Sequence, residues 1–285
     1  MMSTPAHIIQ TDEGEETSCR WQVTDNPSQR YTKVVKDTDG QTVTTYNPER
    51  PYYEANRQTL EFVRKHNAMR KKLQLFFAAK IHPMLDDETC VDDFVGNELA
   101  CLKIHGISTH SDPTIFPQWV SDIAHHYDLP ILVHTDYYDG PIDESMDAET
   151  REHLELYSKN HPLPFIQWAL RNKLRVAINH GANLDQESIR IINNEEDLII
   201  VYGPDSLIEL DKERLATPTD DYAKTLFEYA NPDKVAFSTD FAWNVNDRGT
   251  WKDMRWDSID RIRALLSEDD QKKVLGDNIR NFYKL

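Results

Sequence analysis

The chain has 285 residues, enough for one barrel-sized domain with a sizeable core. Its formal net charge of −17 argues against anionic partners, nucleic acid and acidic membrane surfaces among them. Three cysteines, Cys19, Cys90 and Cys101, show no paired spacing, which argues against a disulfide scaffold and a thiolate metal cluster and fits a reducing, cytoplasmic setting.

Met1–Gln10 lacks the basic start and long apolar core of a signal peptide, and no apolar run reaches membrane-spanning length. Ala6–Thr11 reads as a short strand. The acidic stretch Asp12–Glu16 behind it is either a solvated turn or a loop on the rim of a site. Tyr31–Lys36 and Gln41–Tyr46 alternate β-formers around Asp39-Gly40, which spells a hairpin. It is too polar for a barrel wall and reads as an excursion above one, a lid or a contact between subunits. Glu54–Lys71 is a long helix, and Thr89 to Gly96 holds a short helical piece.

From there a unit recurs. Phe116, Val120, Ile123, Ala124 and Tyr127 share one helical face, and the buried strand Leu129–Val133 that follows ends on His134. Leu73–Ile81 ends on His82, Leu99–Ile104 on His105, Lys173–Asn179 on His180 and Asp233–Thr239 on Asp240. Leu198–Tyr202 is a further buried strand, stopped by Gly203-Pro204. Helices are expected at Ala148–Asn160, Pro164–Asn172, Asp220–Tyr229, Asp257–Leu266, Glu268–Leu275 and Asp277–Tyr283. Helix, buried strand and terminal polar residue are the parts of a parallel α/β fold, whose chemistry sits at the C-terminal rim of the strands. About seven strands are counted, where a closed (β/α)8 barrel uses eight. No internal repeat or linker marks a second domain, so residues 1–285 are expected to form one TIM-barrel-like domain, incomplete or distorted at its first strand.

Strand alternation puts Leu102 and Ile104 on one face of their strand and Lys103 and His105 on the other, pointing inward. Lys80 and His82 repeat the arrangement. A lysine on an inward face is costly unless it is paired, modified or near solvent, so Lys103 and Lys80 suit a substrate carboxylate. His134, His180 and Asp240 are donors of the kind that bind Zn²⁺, Mn²⁺ or Fe²⁺, and a bound metal supplies hydroxide at neutral pH. Asp240 could accept the water's proton, and His180 could serve as acid or base or polarise a carbonyl. The alternative for Asp240 is a helix N-cap or a loop salt bridge. His125-His126 ends a helix, where contact with the helix dipole is expected. His7, His66, His110, His153 and His161 read as structural or surface positions. Tyr137, Tyr138 and Trp243 lie a few residues past rim positions and form a candidate aromatic wall for substrate.

In order, Leu102–His105, Leu129–His134, Val176–Gly181, Val201-Tyr202, Val235–Phe241 and Leu275–Asn278 resemble the amidohydrolase superfamily from about Leu73 to Leu285. The resemblance is nearest to the amidohydrolase-related branch that includes aminocarboxymuconate semialdehyde decarboxylase. It implies a (β/α)8 barrel with a metal at the rim, His134 as a ligand, Asp240 as the last-strand ligand and His180 as the catalytic histidine. Lys103 falls on the strand where some members carry a carboxylated lysine. One departure stands out: the family's first strand carries His-x-His, and no His-x-His occurs in this sequence.

Two functions are carried forward. One is a hydrolase or non-oxidative decarboxylase of a small polar molecule, dependent on a divalent metal, zinc before manganese or iron. There His180 and Asp240 are catalytic, His134 and Asp240 hold metal, and Lys103, His105, Tyr137 and Trp243 bind substrate. The other is a metal-free, catalytically degenerate barrel that binds a ligand or partner. A gap at the first strand leaves edges to be covered by the hairpin, by the last helices or by a second subunit, of which a homodimer is the expectation.

Overall fold

The structure is a computed structural model that describes residues 2–3, 20–21, 33–36, 42–45, 52–69, 74–109, 112–135, 137, 140–143, 146, 151, 154–155, 157–203, 219–238 and 258–285. The chain divides into two compact units, Met1–Leu102 and Lys103–Leu285. The strand Leu99–His105 runs through the division, with its first four residues in the first unit and its last three in the second.

In the first unit, β1 (Met2–Ser3) pairs in parallel with β5 (Phe76–Lys80), Met2 opposite Phe76. The helix Tyr53–Met69 lies on β5 and is tied to it by two asparagines. Asn56 donates to the Lys80 carbonyl and accepts from the Lys80 amide, both at 2.9 Å. Asn67 does the same for Leu75, both at 2.8 Å. Each side-chain amide thus satisfies strand groups at the two ends of β5, where an open backbone group would be costly. The expected hairpin is present as β3 (Lys33–Lys36) against β4 (Thr42–Thr45), antiparallel, with Val35 opposite Val43. A third strand, β2 (Arg20–Trp21), joins it. The expected strand Ala6–Thr11 lies outside the described residues. Residues 89–94 form turns rather than a helix.

In the second unit the end of β6 (Leu99–His105) leads a sheet continued by β7 (Ile131–His134), β8 (Val176–Ile178), β9 (Leu198–Tyr202) and β10 (Val235–Phe237). β7 to β10 pair in parallel, with Val133 opposite Ile178 and Ile178 opposite Ile200. Val176, Ala177 and Ile178 have no exposed surface, and β9 is buried throughout, as strands covered on both faces require. The intervening helices are terminated by local chemistry. Asp185 caps Gln186–Asn194 by accepting from the Ser188 amide, and the helix buries Ile189 and Ile192. Pro162 opens Pro162–Asn172, and Lys173 closes it in the left-handed conformation. Gln118–His126 buries Val120, Ile123 and Ala124. His125 is not confined to its own helix end: its Nε2 bonds the Asn172 carbonyl at 2.8 Å, at the end of the neighbouring helix. The C-terminus packs as the helix 258–265, the helix Glu268–Lys272, a π-helical turn Lys273–Asp277 and the helix Asn278–Tyr283. Asn278 holds the entry to β10 by donating to the carbonyls of Pro232 and Val235, at 2.7 and 2.8 Å.

Candidate functional site

Two strands, β6 and β7, end on histidine, and β8 ends at Ile178 rather than on the expected His180, which stands two residues beyond it; the structure brings the three rings together. The His105 and His134 rings stack, with centroids 3.9 Å apart and planes 17° from parallel. The His180 ring meets His134 edge-on at 4.3 Å, and His180 Nε2 lies 2.8 Å from His134 Nδ1. His180 is 5% exposed, and His134 and His105 are half-buried.

Asn179 fixes the protons. Its Nδ2 contacts His180 Nε2 at 3.2 Å. An amide N–H only donates, so His180 Nε2 is an acceptor. His134 Nδ1 then carries a proton and donates it to His180, which leaves the lone pair of a neutral His134 on Nε2. The donor–acceptor network, not hydrogen positions, assigns these tautomers.

The loops around the pair are cross-tied. The Asn160 Nδ2 donates to the His134 carbonyl at 3.2 Å. Gly106, directly after His105, gives Asn160 its room: a Cβ there would stand 1.9 Å from Asn160 Oδ1. Thr135 donates through Oγ1 to the Asn179 carbonyl at 3.2 Å, and Thr109 to the His105 carbonyl at 2.9 Å. With its amide oriented to satisfy both ends, Asn183 donates to the Thr135 carbonyl at 3.1 Å and accepts from the Tyr137 amide at 3.0 Å.

His180 opens an unusual turn. The residues from His180 to Leu184 all have positive φ, between 51° and 59°. Four of the five carry a Cβ, and each such residue costs about 1–2 kcal/mol in this region. Strain of this kind persists where the surroundings over-determine it, and it gathers at functional sites. The Tyr222 hydroxyl, from the helix Thr219–Tyr229, donates to the His180 carbonyl at 2.7 Å. A Cβ on Gly181 would lie 2.5 Å from that same oxygen.

Lys103 is 8% exposed on its strand, between Leu102 and Ile104, which are fully buried. Tyr137 meets the His161 ring edge-on at 4.4 Å. His161, expected to be structural, caps the helix Pro162–Asn172 by accepting from the Leu163 amide, and its Nε2 stands 3.7 Å from Asp185. In the first unit Lys80 lies over the Tyr52 ring at 4.3 Å, and His82 Nδ1 accepts from the Met84 amide at 3.1 Å. Asp240, Trp243 and Tyr138 lie outside the described residues, as do His7, His110 and His153.

Among the described residues, no group of three or more His, Cys, Asp or Glu side chains could hold a metal ion. His180 Nε2 is engaged by Asn179 Nδ2 and His134 Nδ1. A catalytic zinc takes three protein ligands. The described donor set alone does not fit one. No helix among the described residues is long and apolar enough to cross a membrane.

Comparison with known proteins decides the family. The amidohydrolase family model matches residues 56–285.

The chain belongs to the amidohydrolase family.

Solved structures agree on a TIM-barrel-like α/β fold. The amidohydrolase chain is similar to a Pseudomonas putida protein provisionally named a 2-pyrone-4,6-dicarboxylic acid hydrolase. That match has 10% identity, a TM-score of 0.52, and coverage of 80% of this chain and 77% of that one. It is similar to the dihydroorotase of Campylobacter jejuni at 17% identity and a TM-score of 0.51, over 79% and 71% of the two chains. It is similar to the apo IDCase of Metarhizium anisopliae at 12% identity and a TM-score of 0.50, over 83% and 71%. No curated protein matches the sequence.

Proposed function

We propose that this amidohydrolase hydrolyses a small polar molecule bearing a carboxylate or an amide, and that the His134–His180 pair handles the protons. The carrying observation is the 2.8 Å contact between His134 Nδ1 and His180 Nε2, with Asn179 fixing its direction. A water on the Nε2 side of His134 gives its proton to that nitrogen as its oxygen adds to the substrate carbonyl carbon. The cation formed on His134 is steadied because its Nδ1–H already points at a hydrogen-bond acceptor, the part a carboxylate plays in a catalytic triad. The same proton then passes from His134 to the departing nitrogen or oxygen as its bond to the carbonyl carbon breaks. His105, stacked on His134, holds the ring plane, and Lys103 is the cation proposed to meet a substrate carboxylate.

The remaining parts of the reading rest on family membership. We assign Asp240 to the rim as a second proton acceptor; in the metal-dependent form of the reading, His134 and Asp240 would hold a divalent metal, zinc before manganese or iron, in place of the base role of His134, and His180 and Asp240 would handle the protons. Tyr137 and Trp243 line the substrate. The decarboxylase-containing branch of the family remains the proposed neighbourhood, and a homodimer the proposed assembly.

The test is a screen of cyclic amides, lactones and unsaturated carboxylic acids, with the product and any released carbon dioxide both measured. Elemental analysis of protein purified without chelator runs beside it. Hydrolysis of one class, lost in His134→Asn, is the expected result. Carbon dioxide release without water addition would move the reaction to decarboxylation. Ligand binding with no turnover, unchanged by chelator or added Zn²⁺, would favour the degenerate barrel.

A further inference from the structure

We propose that Tyr222 is a positioning residue for the histidine pair, its hydroxyl fixing the left-handed turn that aims His180 Nε2 at His134. The inference rests on the reading of that pair as the proton-handling site.

His180 stands at the first residue of a turn that its own sequence does not favour. Ala182 and Leu184 gain nothing from positive φ, and Asn183 is only tolerant of it. An external hold is needed, and one acts on His180 itself. Tyr222 is 5% exposed, and its hydroxyl donates to the His180 carbonyl at 2.7 Å. The carbonyl and the imidazole hang from the same backbone segment, so a rotation that breaks this bond also swings Nε2 away from His134.

Two further observations show that the hydroxyl is built to this point. The Tyr222 ring is fixed by stacking on Tyr202, with centroids 5.9 Å apart and planes 13° from parallel. Its oxygen occupies the space beside Gly181, where a Cβ would be 2.5 Å away, so only glycine lets the phenol reach the carbonyl. The Tyr222 hydroxyl bonds the backbone carbonyl of His180. It acts through His180, and its removal changes proton placement more than the core.

The experiment uses the full chain labelled with ¹⁵N-histidine, and long-range ¹H–¹⁵N correlations that report which ring nitrogen carries each proton. His134→Gln and His180→Gln assign the signals. In the wild type both rings are expected in a single tautomer, protonated at Nδ1. In Tyr222→Phe, which keeps the ring and the stack on Tyr202, that fixed pattern is expected to be lost while thermal unfolding stays cooperative. Should the Phe variant not fold, 4-fluorophenylalanine in place of Tyr222 fills the same space without a donor and is read the same way. Fixed tautomers retained in a folded variant without the hydroxyl would make Tyr222 an ordinary core residue and overturn the inference. Averaged tautomers in the wild type would overturn the inference and the hydrolase reading together. A wild type that shows the fixed pattern but turns over no substrate would leave the positioning role standing and remove the hydrolase reading alone.

Discussion

His134 and His180 are 46 residues apart in sequence and 2.8 Å apart in space, ring nitrogen to ring nitrogen. Their strands are neighbours, and the pairing of Val133 with Ile178 sets the two histidines one residue out of step. A strictly extended chain would turn His180 to follow its pleat. The left-handed turn takes over at that residue and brings the ring back across the gap.

The first prediction concerns this pair. His180→Asn keeps a polar side chain but withdraws the acceptor from His134 Nδ1. Loss of a positioned proton-transfer partner costs about 10²–10⁴ in rate. On whichever substrate the screen finds, kcat is expected to fall by about 10² or more, with KM within a few-fold. An unchanged kcat would show that His134 works without His180.

A second prediction tests Asp240, which lies outside the described residues. Asp240→Asn preserves shape and removes charge. It is expected to abolish turnover while the thermal midpoint stays close to the wild-type value, measured by calorimetry. Full activity in that variant would remove Asp240 from the chemistry and leave it with the His134–His180 pair.

Gly106→Ala is predicted to damage the fold and the site through one contact. The added Cβ would stand 1.9 Å from Asn160 Oδ1 and 3.2 Å from Phe165. Asn160 must then leave, and with it the bond to the His134 carbonyl. Overpacking of this kind costs about 1–3 kcal/mol in urea unfolding. In an Asn160→Ala background the same change should cost clearly less, which a double-mutant cycle reads directly. Additive costs would mean that the two residues do not conflict.

The last prediction is a dependence on pH at the other end of the strands. Asp128, just before β7, bonds Lys284, and Arg175, just before β8, meets it at 2.9 Å. The Lys284 contact foremost holds the Asp128 carboxyl below its ordinary range; burial is the next effect and opposes it, and the Arg175 charge adds to the lowering. A carboxylate whose folded value is depressed adds stability above its unfolded value, near 3.9, and loses that stability as pH falls through the folded value. The group is largely exposed, so its contribution is at most about 1 kcal/mol. Asp128→Asn should therefore be slightly less stable than wild type at pH 7, with the gap closing as urea titrations move down through the acid range. A gap that stays constant down to the lowest pH would assign the loss to packing.

Apolar runs made the parallel strands legible, because a strand covered on both faces leaves little choice of residue. Leu99–His105 and Leu198–Tyr202 are read to the residue, and the histidine that ends each of β6 and β7 marks the rim. The hairpin was equally legible from Asp39-Gly40 and the alternation around it. Strand β1 escaped notice because two residues, Met2 and Ser3, carry no period. The supports of the site escaped for a different reason. Asn160, Asn179 and Asn183 are polar residues in connections, and nothing in their spacing distinguishes a side chain that holds a histidine from one in water. Tyr222 looked like any aromatic on a helix face. His180-Gly181 was the one visible sign of the turn, and Ala182 and Leu184 spoke against it, since neither gains from positive φ. His161 reads as a structural position, and it does cap the helix Pro162–Asn172, with its ring also meeting Tyr137.

The turn from His180 to Leu184 also bears on how the protein comes together in time. A segment of positive φ that its own residues disfavour has little to nucleate it, and it is expected to form after β9 and the helices Gln186–Asn194 and Thr219–Tyr229, which pack against it. The paired histidines therefore come into being at the end of folding, and a partly assembled chain holds two ordinary imidazoles. In the folded protein the order runs backwards. The same five residues should exchange their amide hydrogens at a lower opening cost than the buried strands on either side, so the site would fall silent before the sheet begins to melt.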